Sequence, residues 1–256
     1  MASTIDSEMG GALVDMFALG KQSGGQRYRS VLIGDETLLA QCGEMLRSRG
    51  HEIVAVVAGQ TTPAADWARR NRIPLLTRTR DLLAVDSAPL NWIFSISNLS
   101  VVPDEVLALA SLGAINFHDG PLPARAGLNT PVWALLEGER DHGVTWHLMT
   151  DTVDAGPVLA AEPVRVEEGE TAFSLNTRCF EAGLRSFAGI VDDLEGAVTR
   201  ALPQAHAPLR IYGREHRPSA AATIDWTRPA NDIARLVSAL DFGPYANPMA
   251  LPKAVI

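Results

Sequence analysis

The chain has 256 residues, 46% of them hydrophobic and 20% charged, enough for one full α/β domain and a second small piece, since domains cluster near ~100 to 150 residues. No apolar run approaches the ~20 residues that a membrane-spanning helix needs, and a formal net charge of −8 argues against a basic nucleic-acid-binding face. The two cysteines, Cys42 and Cys179, lack metal-ligand spacing and read as buried thiols of a reduced, cytoplasmic protein with no metal, no membrane contact and no nucleic-acid partner.

Residues 1–27 carry Gly10, Gly11, Gly24 and Gly25 among polar residues, without the basic start and apolar core of a signal peptide. They are expected to be a leader or linker. Residues 28–34 (YRSVLIG) read as a buried strand, Leu38, Leu39, Cys42, Met45 and Leu46 recur at helical spacing up to Gly50, and residues 53–58 form a second apolar run. Strand, helix and strand within about thirty residues make a βαβ unit with parallel strands, so the fold begins as an open α/β sheet. The turn GDETLL lacks G-x-G-x-x-G, and no G-x-x-x-x-G-K-[ST] occurs anywhere, which argues against a dinucleotide or a nucleoside triphosphate.

A helix is expected over 64–71, strands over 73–76 and 92–96, a helix over 103–112, and a strand over 113–117 that delivers His118 into the loop GPLPARAGLNTP. Strands over 144–149 and 158–166 flank a polar loop at 151–156. Phe173, Thr177, Phe180, Leu184, Phe187, Val191 and Leu194 then give a long amphipathic helix. Polar, Pro-rich text marks a linker over 203–222. The expected organisation is a catalytic domain at 28–202, that linker, and the beginning of a truncated C-terminal subdomain at 223–256.

In open α/β sheets chemistry sits at the carboxyl ends of strands. The strand-end N-x-H puts Asn116 and His118 on one side of the chain, by the period of a strand. Asp154, in the loop of a later strand, can approach them. An amide donor for a developing oxyanion, an imidazole that handles a proton near neutral pH and a carboxylate that orients it suit acyl transfer. His147 reads as a satisfied core histidine, Arg125 and Asn129 as solvated loop residues, and Trp92, Trp133, Trp146 and Trp226 as core packing.

The run INFHDGPLPARAG (residues 115–127), followed by HGVTWHLMTDTVDAGPVL (142–159), resembles the paired signature of formyltransferases that use 10-formyltetrahydrofolate: N-x-H, a short loop ending L-P, then G-V-T and D-x-G. That family includes methionyl-tRNA, glycinamide ribonucleotide and sugar-nucleotide formyltransferases and the hydrolase domain of formyltetrahydrofolate dehydrogenase. The likeness covers roughly residues 29–195 and resumes at 224–240. It implies an open Rossmann-like, mostly parallel sheet with helices on both faces, followed by the start of a small C-terminal subdomain. It also implies 10-formyltetrahydrofolate as formyl donor. Asn116 would polarise the formyl oxygen, His118 would assist the proton transfers, and Asp154 would organise the attacking amine or a water. The pterin would lie against Ser100, Val101 and Val102 on one side and Met149, Thr150 and Asp151 on the other.

The loop after His118 departs from the family's S-L-L-P, reading Asp119, Gly120, Pro121, Leu122 and Pro123, and Ala124 to Gly127 replaces the R-x-R-G of methionyl-tRNA enzymes. Initiator tRNA is therefore not the expected acceptor. HDGPLPARAGLN and FGPYANP are most similar to formyltransferase-like domains of nonribosomal peptide and polyketide assembly enzymes. This implies a small-molecule or carrier-protein-bound amine as acceptor and further domains of a larger polypeptide as partners. Hydrolysis of the same donor, a different acyl donor, and a non-catalytic domain that keeps only the shape are the alternatives.

Overall fold

The computed structural model describes residues 25–85, 88–198, 200–205 and 210–255; most of the expected leader lies outside them. Strands and helices alternate through the first half: β1 (Arg29–Ile33), α1 (Thr37–Ser48), β2 (Glu52–Val57), α2 (Pro63–Arg70), β3 (Leu75–Leu76), a 3-10 turn (Thr79–Ala84), β4 (Leu90–Ile96), α3 (Asp104–Leu107) and β5 (Ala110–His118). Then follow β6 (Ala126–Gly127), α4 (Thr130–Glu137), β7 (Asp141–Leu148), β8 (Val158–Arg165), α5 (Ala172–Glu195), β9 (Ile211–Tyr212), a second 3-10 turn (Ser219–Ala222) and α6 (Ala230–Ala239).

Seven strands form one sheet in the order β3-β2-β1-β4-β5-β7-β8. The first five are parallel, while β7 runs antiparallel to both β5 and β8. This is the mostly parallel α/β sheet that the apolar runs imply. Alternation along the strands sorts the core into two layers. Leu32, Val56, Phe94 and Ile115 join a large cluster with residues of α1, α2, α4 and α5. Their neighbours Val31, Ala55, Ile93 and Ala114 join a smaller one closed by Leu82 and by Val102 and Val106. One sheet face is thus thickly covered and the other thinly, by the first 3-10 turn and the four-residue α3. Among the described residues, no helix is long and apolar enough to cross a membrane.

Three departures have physical causes. The helix expected over 103–112 is only Asp104–Leu107, because Ala110 already pairs with Leu90 and Gly113 with Trp92 in the parallel ladder. In α5 the buried stripe runs through Ala172, Leu175 and Cys179, whereas Phe173 is exposed at the helix start and packs its ring on Tyr245 of the C-terminal segment. Helix α4 starts at the end of the expected loop and continues through residues to which no element was assigned: Asn129, at φ 57°, and Gly138, at φ 70°, bound its eight residues, and Pro131 sits in its first turn where no N–H is needed. Trp92 and Trp146 are core residues as expected, but Trp226 is 62% exposed.

Helix α5 fixes β5 from behind. A capping box between Thr171 and Ser174 starts it, and a Cβ placed on Gly183 would lie 2.4 Å from the Phe117 ring. Phe117 separates Asn116 from His118. Gly183→Ala should therefore lose about 1 to 3 kcal/mol of stability through overpacking despite alanine's better helix propensity. Urea unfolding measures the loss, and a gain in stability would show that the ring yields freely.

Candidate active site

The antiparallel register assembles the site. Asn116 faces His147 across the ladder and His118 faces Thr145, while Phe117 and Trp146 point to the opposite, thickly covered side with ring centroids 5.0 Å apart. Four polar side chains from two strands therefore share one face. The loop after β7 then brings Asp154 back over them. Its carboxylate lies 3.4 Å from His147 Nε2 and 3.7 Å from His118 Nδ1, and accepts the Gly127 N–H at 2.8 Å.

Hydrogen-bond partners assign the protons. His118 Nε2 lies 2.7 Å from the Arg125 carbonyl and must carry a hydrogen there, so in the neutral ring Nδ1 holds the lone pair and faces Asp154. His147 Nδ1 donates to the Leu148 carbonyl at 2.9 Å, leaving Nε2 to accept from the Asn116 amide at 3.1 Å. On gaining a second proton, His147 Nε2 would turn its hydrogen toward Asp154 instead. Burial would raise the Asp154 pKa, but a hydrogen bond from His147 and the charge of His118, each made when that ring carries its second proton, and the Gly127 N–H lower it to about 2. It is a carboxylate at all physiological pH values.

The loop beyond His118 is held by its backbone. Thr130 Oγ1 and His142 Nε2 both donate to the Asp119 carbonyl, at 2.7 and 2.8 Å, and Thr145 Oγ1 donates to Gly120 O and accepts from Leu122 N. Gly120 is required by close approach, since a Cβ there would lie 2.7 Å from His118 Nε2 and 2.9 Å from the Arg125 carbonyl. The Asp119 carboxyl is pushed up by burial and by the nearby Asp154 charge, against the lowering influence of His118 and Thr130.

The family model for formyl transferases matches residues 29–189. The chain belongs to the formyl transferase family. It is thus a one-carbon group transferase. Solved structures share its fold at low sequence identity. An N-formyltransferase from Helicobacter canadensis, in complex with folinic acid and dTDP-3-aminofucose, superposes with a TM-score of 0.68 at 16% identity, over 84% of this chain and 80% of that one. A 4-N formyltransferase from Francisella tularensis gives 0.69 at 16% identity, over 86% and 90%. HypX from Aquifex aeolicus, in complex with tetrahydrofolic acid, gives 0.64 at 21% identity, over 86% of this chain and 35% of that one.

In this formyl transferase the structure brings Asn116, His118 and Asp154 together and adds His147, which the spacing alone assigned to the core. His147 is indeed buried, yet it touches two of the three. Ser100 lines an open cleft of about 610 Å³ at the carboxyl ends of β1 to β4, beside Gly34, Asp35, Gly59, Arg78 and Asn98. Val101 is exposed and Val102 belongs to the core layer under α3; Met149 packs on that layer, and Thr150 and Asp151 form an exposed turn. Arg125 contradicts the expectation of a solvated loop residue. It is 5% exposed and its guanidinium meets Glu137 at 2.6 Å, Glu139 at 2.9 Å and the Tyr212 hydroxyl at 3.2 Å. Asn129 instead caps α4 in the left-handed conformation.

His142 gives this site a pH signature. Burial lowers its pKa from 6.5 to about 4, against the Asp119 carbonyl bond, which raises it. Between these values the unfolded chain binds a proton that the folded chain refuses, so stability falls as pH drops from 6.5 to 4, by roughly 3 kcal/mol. Urea unfolding across that range should show His142→Gln flattening the fall. A smaller slope from His51, whose pKa burial also lowers, remains. Parallel curves for the two proteins would refute the assignment.

Proposed function

We propose that this enzyme transfers the formyl group of 10-formyltetrahydrofolate to a primary amine, and that its acceptor is an aminoacyl unit on a carrier protein. The observation that carries the reaction is the convergence of Asn116, His118 and Asp154 on one face at the end of β5. Asn116 spends one N–H on His147 and keeps the other for the formyl oxygen. The neutral amine attacks the formyl carbon, the carbonyl pair moves onto oxygen, and Asn116 stabilises the oxyanion. His118 Nδ1, set against Asp154, takes the proton that the nitrogen sheds. The bond from carbon to N10 then breaks with its electrons going to N10, which receives that proton. A formamide and tetrahydrofolate leave.

For the donor, support comes from the fold shared with enzymes solved with folinic acid or tetrahydrofolic acid. We place its pterin between the loop of Ser100, Val101 and Val102 and the turn of Met149, Thr150 and Asp151, where backbone groups make most contacts. For the carrier-bound acceptor, support comes from the Asp119 to Pro123 loop, whose sequence resembles assembly-enzyme domains.

Tetrahydrofolate release from 10-formyltetrahydrofolate, followed with a panel of amines, amino sugars and aminoacyl carrier proteins, tests this reading. Release should require an amine and be fastest with a carrier-bound one. His118→Ala should lower kcat by about 10² to 10⁴, and Asn116→Ala by about 10² to 10³, with the donor KM little changed. Release without acceptor would make the enzyme a hydrolase, and preference for free amino sugars would overturn the carrier assignment.

A further inference from the structure

The family model ends at residue 189, yet the segment beyond α5 touches each loop of the site. Leu202 pairs with Val158. Gln204 Nε2 donates to the Asp154 carbonyl at 2.6 Å and to the Gly156 carbonyl at 2.8 Å, bracing a residue whose φ is 54°. Strand β9 lies parallel to β6: Ala126 N donates to Arg210 O at 2.9 Å and Leu128 N to Tyr212 O at 2.8 Å. The Arg125 carbonyl that holds His118 shares a peptide unit with the first of these donors, and the Gly127 N–H that holds Asp154 lies between the two. The approach is close enough that a Cβ on Gly127, at φ +90°, would lie 2.2 Å from the Tyr212 carbonyl. The Arg214 guanidinium also bonds the Leu99 carbonyl, next to Ser100.

Side chains anchor this strap. Tyr212 is buried, stacks on Trp133 with centroids 4.7 Å apart, and donates its hydroxyl to Glu137 at 2.7 Å; Arg210 meets the same carboxylate at 2.7 Å. Glu137 in turn neutralises the buried Arg125. Burial of that cation without its two carboxylates would cost several kcal/mol, so β9, α4 and the loop beyond His118 form one unit.

We propose that Gln204 and Tyr212 are positioning residues for formyl transfer: the strap they anchor sets the His118 tautomer and the placement of the Asp154 carboxylate from outside the stretch that the family model matches. This rests on the reading that His118 and Asp154 handle the proton of the reaction. The strap makes no contact with the reacting atoms in this account. It holds the two backbone groups, Arg125 C=O and Gly127 N–H, on which both side chains depend.

The test uses the full chain carrying Tyr212→Ala, Tyr212→Phe or Gln204→Leu, with kcat, donor KM, Tm and the nitrogen-15 signals of the His118 ring, identified by their loss in His118→Gln. Tyr212→Ala should lower kcat about tenfold or more and Gln204→Leu about fivefold, as small misplacements of reacting groups do, with donor KM within about twofold. Tyr212→Phe, which keeps the stack on Trp133, should restore most of the kcat lost in the alanine variant. The His118 signals should change from a single Nε2–H form in the parent to a tautomer mixture in Tyr212→Ala. A lowered Tm with kcat and His118 signals at parental values would overturn the proposal, and Gln204→Leu decides it if Tyr212→Ala does not fold. The ring signals need no turnover, so a chain inactive on the formyl folate would refute the donor reading and still decide this one.

Discussion

A carboxylate that is 8% exposed and still ionised constrains everything around it. Removing an ion from water costs several kcal/mol unless partners replace the lost hydration, and Asp154 finds them in one backbone N–H and in two imidazoles that pair with it when protonated. Those partners come from β5, β7 and the loop before α4. The charge adds a tie to those already made by the β5–β7 ladder and by Thr145 and His118 on the loop. The positive φ of Asp154 fits the same picture, because an Asp tolerates the left-handed conformation better than most residues and the loop needs that turn to aim the carboxylate inward.

Convergence on that charge depends on the change of direction in the sheet. Up to β5 every strand is parallel, and the strand ends point the same way. Strand β7 reverses, so Thr145 and His147 lie directly opposite His118 and Asn116. The pleat places all four on the face shared with Ala114, the thinner one, which Leu82, Val102 and Val106 close at Ala114 and the loops of Gly120 and Asp154 close at the histidines. Ile115, Phe117, Val144, Trp146 and Leu148 take the thick face and carry the packing against α5. One alternation thus separates the packed layer from the face that carries the polar site. A site on the thick face would have to displace helices to admit a substrate.

What the sequence makes legible follows from range. Apolar runs of strand length, separated by helical periods, locate β1, β2, β4 and β8 to within two residues at each end, because those signals are local. Asn116 and His118 are legible as a pair because two residues of one strand share a face whatever the strand packs on. Asp154 is legible only through the order of motifs, since its approach to His118 depends on a loop of no regular period. His147 could not be distinguished from a core histidine, as its partners follow from the antiparallel register. The buried state of Arg125 is likewise invisible in its neighbourhood of Pro, Ala and Gly. It is decided by Glu137, Glu139 and Tyr212, the last of them 87 residues away.

The first half of α5 shows the same limit in a helix. A stripe begun at Phe173 fits an amphipathic period as well as one begun at Leu175, and hydrophobicity favours the aromatic. Packing decides otherwise: Phe173 is needed at the helix start, where its N–H donates to Asp241 and its ring meets Tyr245, and the helix rotates to bury Leu175 and Cys179. The contact joins the N-terminus of α5 to the segment after α6, just as Gln204 and Tyr212 join the segment after α5 to the loops of the site. Chain that follows the stretch matched by the family model is thus folded back onto it at several separate places. Ala222, Ala239, Leu240 and Met249 add to the large core cluster, and other residues of the segment meet groups that the domain leaves half-satisfied: an exposed helix start, the carboxylate loop, and a buried guanidinium.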